Sequence, residues 1–535
     1  MTGVKPIQWQ KYENGEDMLE QLRKTLQGKA LVNDLINTGF RRYPDKTAIA
    51  FGDKRYTYRD LDDKTLRIAN ALREMGVKKG DKVALLMTNS ADYLFAYFGI
   101  IRSGAVVVPV NYRLVGRELQ YILGHSDSIA ILMDNEYYPT ISGIKADLPY
   151  LKTLIVREPP SPSDALCLSE LLKNSQAKTS VLPLLEDDEV AMYYSSGTTG
   201  KPKGAILTQR NWAFTGECFC ESMEFQPDDV FLIVFPMFHI AFEYVIALIH
   251  ASSTMVIQKT FDVEEVVKGI ERERATAFWG SPAMYILMLN SPSFQKYDVS
   301  SLRIMIYGGA IMPEDTIKRL VSAVKNVKLW NGYGITECSG HCTFLTEEFS
   351  YTKRGSVGRD NSFRGVRIRV VDDHSRPVRP NSVGEVLVRG PNIMKGYYKE
   401  PDRTREAVDS EGWFHTGDLA KIDEEGFIYI VDRKKDMIVR GGENVYPAEI
   451  ENVLFEHSAI LEAAVIGIPH PVLGEDQKAF VVLKEGHRLS ADAIVEYCRK
   501  NLASYKVPRQ IEFIDTLPRN AAGKVLKEVL RAHGK

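Results

Sequence analysis

The chain has 535 residues, too many for one core of ordinary size, so roughly two to four domains or subdomains are expected. Apolar residues make up 44% and charged residues 26%, the proportions of an ordinary globular protein. The 68 basic and 70 acidic side chains leave a net charge of −2, which removes the electrostatic case for nucleic acid or an anionic membrane as partner.

The six cysteines (Cys167, Cys218, Cys220, Cys338, Cys342 and Cys498) are scattered without metal-site spacing, as suits a reducing cytosol. The first residues, Met1 to Pro6, contain no apolar signal core, and Ala532-His533-Gly534-Lys535 is not the peroxisomal tripeptide. A cytoplasmic protein is expected.

In chain order, residues 47–51 and 56–58 read as a hairpin, followed by a helix over 61–75 that Gly76 ends. Residues 83–87 and 105–110 read as buried strands flanking a helix near 91–102, a strand–helix–strand unit of a parallel sheet. Residues 190–194 form a further short buried strand, and apolar character resumes at Ala205-Ile206-Leu207. The apolar stretch 230–257 contains Pro236, His239, Glu243 and His250, which are costly in lipid, so it reads as strand, loop and buried helix. Strands are expected at 230–235, 254–258, 277–279 and 304–307. After Gly355 the texture changes to short strands with frequent turns, at 366–371, 384–388 and 426–431. Beyond Asp432, a helix at 448–455, strands at 463–467 and 479–483 and a helix at 491–502 suffice for a separate α+β unit. The expected fold is α/β: two doubly wound subdomains and a small β subdomain over 1–432, then a mobile α+β domain over 433–535.

The most informative segment is Tyr194-Ser195-Ser196-Gly197-Thr198-Thr199-Gly200-Lys201-Pro202-Lys203-Gly204. A glycine-rich turn between apolar segments lets backbone N–H groups approach an anion, and hydroxyls and lysines add donors and charge. It is a loop for holding phosphate. It is not a Walker A loop, because Pro202 follows Lys201 where that motif runs into a helix.

The string resembles the phosphate loop of the adenylate-forming superfamily, which includes acyl- and aryl-CoA synthetases, beetle luciferases and the adenylation domains of peptide synthetases. Further matches follow in the family's order: Tyr307-Gly308-Gly309-Ala310, Asn331-Gly332-Tyr333-Gly334-Ile335-Thr336-Glu337, Trp413-Phe414-His415-Thr416-Gly417-Asp418, Asp432-Arg433-Lys434-Lys435-Asp436 and Pro518-Arg519-Asn520-Ala521-Ala522-Gly523-Lys524. The resemblance covers roughly residues 30–530.

The resemblance implies that Ser195, Ser196, Gly197, Thr198, Thr199, Gly200 and Lys203 hold the phosphates of ATP. It places Thr336 at the α-phosphate and Glu337 with Thr199 on the side of a Mg²⁺ ion, which prefers one or two protein oxygens plus phosphate and water. It assigns Asp418 and Arg433 to the ribose. Gly308, Gly309 and Tyr333 would form the flat adenine slot, and Ala310, Asn331, Gly332 and Ile430 are further implied ATP-binding residues. Lys524 would bridge the carboxylate and the α-phosphate. Lys435 is the implied hinge, about which the second domain presents Arg440, Gly441, Gly442 and Glu443 to coenzyme A.

His239 stands where amino-acid-activating domains carry an aspartate for the ammonium group, so an amino acid is disfavoured. It is included among the catalytic candidates with Thr336, Glu337 and Lys524. The rest of the expected acid pocket (Phe242, Tyr244, Trp279, Ser281, Tyr307, Gly308, Gly309, Gly334, His341, Cys342) is mainly apolar or aromatic, as suits an alkyl or aryl carboxylate. Residues 413–418 with 432–435 partly match the fatty acyl-CoA synthetase signature, while 419–424 depart from its long-chain version. The expected activity is ATP- and Mg²⁺-dependent ligation of coenzyme A to a medium- or long-chain fatty acid. The alternatives are an aryl-CoA ligase, a luciferase-like monooxygenase, an acyl-AMP ligase loading a carrier protein and a non-enzymatic ATP sensor. The partners are small molecules, with a homodimer allowed for and no membrane span.

Overall fold

The computed structural model describes residues 15–25, 28–178, 182–195, 201–309, 312–325, 327–360, 362–363, 365–441, 443–519 and 525–533. The fold is α/β, a large N-terminal domain followed by a small C-terminal one, and four sheets organise it.

The first sheet has eight strands, in the order Gly396–Tyr397, Lys203–Thr208, Glu189–Ser195, Val106–Pro109, Lys82–Leu86, Ala130–Met133, Thr153–Val156 and Leu166–Cys167. Its central strands are parallel, and Val83 to Leu86, Val106 to Val108 and Ala130 to Met133 are all buried. Strands covered on both faces read as continuous apolar runs, which is why they are legible without alternation. The crossover helix Ala91–Ser103 starts where the Ser90 hydroxyl accepts the Tyr93 N–H at 3.2 Å and ends on left-handed Gly104 (φ +88°).

The second sheet also has eight strands: Thr343–Leu345, Lys328–Tyr333, Ile304–Gly308, Ala277–Gly280, Val230–Ile233, Thr254–Ile257, Thr47–Phe51 and Lys54–Thr57. The early hairpin, read from the sequence without a sheet to belong to, closes this second sheet and not the first. Thr47–Phe51 runs parallel to Thr254–Ile257, with Ile49 opposite Met255. Local pattern shows that a strand exists but not which distant strand will cover it.

The stretch 230–257 is a strand, a short 3-10 turn (Ile240–Phe242), the buried helix Glu243–Ala251 and the strand Thr254–Ile257. No helix among the described residues is long and apolar enough to cross a membrane. One continuous core joins the two large sheets, so Phe95, Tyr97, Trp212, Phe242 and Tyr244 pack in a single cluster.

The third sheet is antiparallel: Arg367–Val371, Val383–Arg389, Phe414–Ile422 and Ile428–Arg433. The sequence reading missed Phe414–Ile422 as a strand, because Thr416-Gly417-Asp418 looks like a turn. The strand runs through it with a register shift opposite Glu385 to Leu387, and Gly417 adopts φ +70°. Such a bulge re-aims a side chain, here Asp418. The fourth sheet (Glu443–Val445, Ile438–Arg440, Gly474–Leu483, Ile460–His470, with Gln510–Phe513 alongside) carries the helices Pro447–Phe455 and Ala491–Asn501.

Candidate active site

The described ends of the phosphate loop are the facing edges of an antiparallel pair, with Ser195 opposite Lys203 and Tyr194 opposite Gly204. The pair is flanked by the two-residue strand Gly396–Tyr397, in which Tyr397 lies opposite Ala205. Ser196, Gly197, Thr198, Thr199 and Gly200 lie outside the described residues, as do Ala310, Gly442 and Lys524.

Glu337 enters from the far side, on a 3-10 turn (Thr336–Cys338) that follows the second sheet's strand Lys328–Tyr333. Its Oε1 accepts hydrogen bonds from the Ser195 hydroxyl at 2.8 Å and the Tyr397 hydroxyl at 2.9 Å. The Lys203 ammonium sits 4.8 Å from the Tyr397 ring centroid. Three segments 142 and 60 residues apart thus meet on one carboxylate. Tyr397 escaped the sequence reading, because a two-residue strand leaves no periodic signal.

A cavity of about 430 Å³ opens beside this point. Its wall includes Ser281, Tyr307, Gly309, Asn331 to Ile335, Asp418, Ile430, Arg433 and Lys435, residues contributed by the second sheet, the third sheet and the linker. Asp418 is 4% exposed and accepts from the Tyr333 hydroxyl at 2.7 Å and the Arg433 Nε at 3.0 Å. Burial first, and the Asp418 charge second, push the Tyr333 phenol well above its usual range. Tyr333 is therefore a neutral donor, and Asp418 an acceptor held in a fixed orientation.

The glycines of the wall sit where a side chain cannot. A Cβ at Gly334 would overlap the Gly340 carbonyl oxygen, and one at Gly332 would overlap the His341 ring. Gly340 itself has φ +103° and packs on the Glu243 carboxylate. Gly334→Ala is expected to cost about 3 kcal/mol or more, because backbone rather than a movable side chain blocks it. A thermal melt checks this: an unchanged midpoint would contradict the packing.

Behind that wall, Glu243 and His341 form a buried pair through Oε1 and Nδ1, and the Tyr244 hydroxyl lies 3.4 Å from His341 Nε2. Glu243 is 1% exposed. Burial raises its carboxyl while His341 opposes the shift, and its Oε2 has no partner among the described residues. Trp279 stands edge-on to Phe235 at 5.6 Å and 6.4 Å from Tyr244. His239 is partly buried, and its Nδ1 accepts the Ala241 N–H at 3.3 Å. Burial pushes the imidazole down to about 4, so it is uncharged at neutral pH.

Of the expected pocket residues, Ser281, Tyr307, Gly309 and Gly334 line the cavity, whereas His239, Phe242, Tyr244, Trp279, Gly308, His341 and Cys342 do not. Phe242 is fully buried and turned toward the first sheet's helix, 3.9 Å from the Tyr97 ring centroid and 5.7 Å from Phe98. Tyr244, His341 and Cys342 are also buried, in the layer behind the glycines. A 3-10 turn does not declare its inner face in the sequence, so the sides could not be assigned from spacing.

In the linker, Lys435 Nζ pairs with Glu528 at 3.2 Å, and Arg531 pairs with Asp436 at 2.8 Å. The Asp432 carboxylate accepts the Ala448 N–H at 3.0 Å, joining the third sheet to the first turn of the helix Pro447–Phe455. Arg440 is tied to Asp476 at 2.9 Å, and left-handed Gly441 (φ +60°) donates its N–H to Leu473 at 2.8 Å. Glu443 lies opposite Arg440 in the same hairpin.

The model of the AMP-binding enzyme family matches residues 37–398, and that of the AMP-binding enzyme C-terminal domain matches residues 449–524. The chain belongs to the AMP-binding enzyme family. Among its relatives, a feruloyl-CoA synthase of Amycolatopsis is 36% identical, over 92% of this chain and 97% of the relative. The long-chain-fatty-acid–CoA ligase FadD13 of Mycobacterium tuberculosis is 37% identical, over 90% and 93%. The crystal structure of ATP-bound MatB from Rhodopseudomonas palustris superposes with a TM-score of 0.87 at 30% identity, covering 94% of this chain and 99% of that one. This member of the family is an AMP-forming acid–thiol ligase.

Proposed function

We propose that the enzyme joins coenzyme A to an apolar carboxylic acid, a medium- or long-chain fatty acid. The observation that carries this is the uncharged helix Pro282–Asn290 along the cavity, together with a histidine, not a carboxylate, at position 239. His239 is neutral, and Glu243, the carboxylate nearest it in the chain, is occupied by His341. An ammonium group there would be left unpaired. Apolar surface is available instead: the helix Pro282–Asn290 has no charged residue, and its Pro282, Ala283, Ile286 and Leu287 line the cavity. The aromatic group Phe235, Tyr244 and Trp279 supports a second reading, an aryl acid.

The chemistry has two steps. A carboxylate oxygen attacks the α-phosphorus of ATP, and pyrophosphate leaves. The thiol of coenzyme A then attacks the acyl carbon, and AMP leaves. Two anions must be brought together in the first step, so the site must supply positive charge and hold the line of attack. Ser195 and Lys203 would meet the phosphates at the ends of their loop. Thr336 would reach the α-phosphate, with Lys524 joining it from the C-terminal domain. Glu337, on whose Oε1 the Ser195 and Tyr397 hydroxyls converge, fits a cation that takes one protein oxygen and the rest from phosphate and water. Bound there, Mg²⁺ would neutralise charge on the phosphates. Asp418 and Arg433 would take the ribose hydroxyls, and Gly309 and Tyr333 the faces of the adenine.

We take residues 433–535 as a domain that turns about Lys435 between the steps and brings Arg440 to Glu443 to coenzyme A. The six cysteines form no disulfide among the described residues, which fits a reducing compartment, and we place the enzyme in the cytoplasm. A screen of pyrophosphate release tests the substrate, using acetate through palmitate, benzoates, cinnamates and amino acids, each with and without coenzyme A. Fastest turnover is expected on alkanoates of eight or more carbons. Preference for benzoates or cinnamates would establish the aryl reading, and turnover of amino acids would contradict both.

A further inference from the structure

The loop 235–242, which carries His239, belongs to the second sheet but is held by the first. Asn89, in the turn between the strand Lys82–Leu86 and the helix Ala91–Ser103, is 2% exposed. Its Nδ2 donates to the carbonyls of Phe235 at 2.8 Å and Gln258 at 3.2 Å, and its Oδ1 accepts the Met237 N–H at 2.9 Å. One amide therefore bonds three main-chain groups at the ends of two strands of the neighbouring sheet. One turn further on, the fully buried Tyr93 donates its hydroxyl to the Met237 carbonyl at 3.0 Å. Both polar groups of the Met237 peptide segment are thus fixed from the same helix end.

Ring contacts complete the grip. Tyr112 stands edge-on to Phe238 at 5.3 Å, and Phe242 packs among Tyr93, Tyr97 and Phe98. His239 is bracketed by the two gripped phenylalanines. Within the loop, the His239 N–H donates to Pro236, the Phe242 N–H to the His239 carbonyl and the Ala241 N–H to His239 Nδ1.

We propose that Asn89 and Tyr93 are positioning residues for the acid: they set the depth and angle at which the His239 loop meets the substrate. They act through that loop and touch neither ATP nor the reacting atoms. Asn suits the place for a physical reason, since its amide offers two N–H donors for the two carbonyls and an oxygen acceptor for the N–H on one short side chain. An aspartate would face two carbonyl oxygens with a negative charge. The first subdomain, which also supplies Ser195, Lys203 and Tyr397, thereby controls fit at the acid site of the second. The inference rests on the reading of the His239 loop as a wall of that site.

Steady-state kinetics of Tyr93→Phe, Asn89→Asp and His239→Ala test it, with thermal midpoints alongside. Tyr93→Phe keeps the ring and deletes one buried hydrogen bond. It is expected to raise KM for the acid about tenfold while KM for ATP stays within about twofold. Asn89→Asp is expected to raise it further and to flatten the preference between acids of different length. His239→Ala should raise the acid KM as well. If His239→Ala does so but Tyr93→Phe does not, the positioning role is overturned while the acid-site reading survives. If His239→Ala leaves the acid KM unchanged, the reading itself is overturned and the inference with it. Equal rises in the KM of acid and ATP, with a lowered midpoint, would show a merely structural role and also overturn it.

Discussion

Lys524→Ala is expected to slow acyl-adenylate formation about a thousandfold and to leave thioester formation from a supplied acyl-adenylate nearly unchanged. An ammonium about 4 Å from a phosphate oxygen, at an effective dielectric near 20, gains roughly 4 kcal/mol. If the contact is made only in the transition state, that energy corresponds to about three powers of ten in rate. The asymmetry between the two half-reactions carries the meaning. A lysine needed to neutralise charge at phosphorus has no task when the thiol attacks carbon, and pyrophosphate has by then gone. Pyrophosphate exchange reads the first half-reaction, and AMP release from synthetic acyl-adenylate plus coenzyme A reads the second. Equal losses in both would contradict the assignment.

Asp418→Ala is the other substitution with a large expected effect. If Asp418 takes two ribose hydroxyls as proposed, each bond is worth about 1.5 kcal/mol with a charged acceptor, so ATP should bind about 100-fold more weakly. The substitution also strands the Tyr333 hydroxyl and the Arg433 guanidinium, which now converge on Asp418. Arg433 is about a third exposed, so water compensates part of that loss, and a destabilisation of about 1–3 kcal/mol is expected rather than that of a fully buried ion pair. Calorimetric titration with ATP and a thermal melt measure the two effects. Affinity within threefold of the unmodified enzyme would remove Asp418 from the nucleotide site.

The parts of this protein that the sequence disclosed are those whose signal is local. The buried strands at 83–87 and 304–307 are continuous apolar runs, and the helix after Ser90 has its cap written beside it. The proposal of a phosphate-holding loop comes from hydroxyls, glycines and lysines packed into one short string. Glu337, 142 residues from Ser195, joined the site only through resemblance, since no spacing links the two.

What stayed hidden depends on long-range pairing. Tyr397 reaches Glu337 because its two-residue strand lies beside Lys203–Thr208, and nothing near it in the chain says so. Asn89 reads as an ordinary turn residue until the neighbouring sheet is placed against it. Phe242 was assigned to the wrong side of its turn for the same reason. The bulge that aims Asp418 inward shows up only when its partner strand is aligned.

The most direct measurement of the central claim follows the oxygen atoms. The preferred acid, labelled with ¹⁸O in both carboxylate oxygens, is incubated with ATP, Mg²⁺ and coenzyme A, and the nucleotide product is analysed by mass. If the carboxylate attacks the α-phosphorus and the thiol then displaces AMP from the acyl carbon, each AMP carries one ¹⁸O and the acyl-CoA keeps the other. Unlabelled AMP, or label recovered in inorganic phosphate beside ADP, would contradict an acyl-adenylate route.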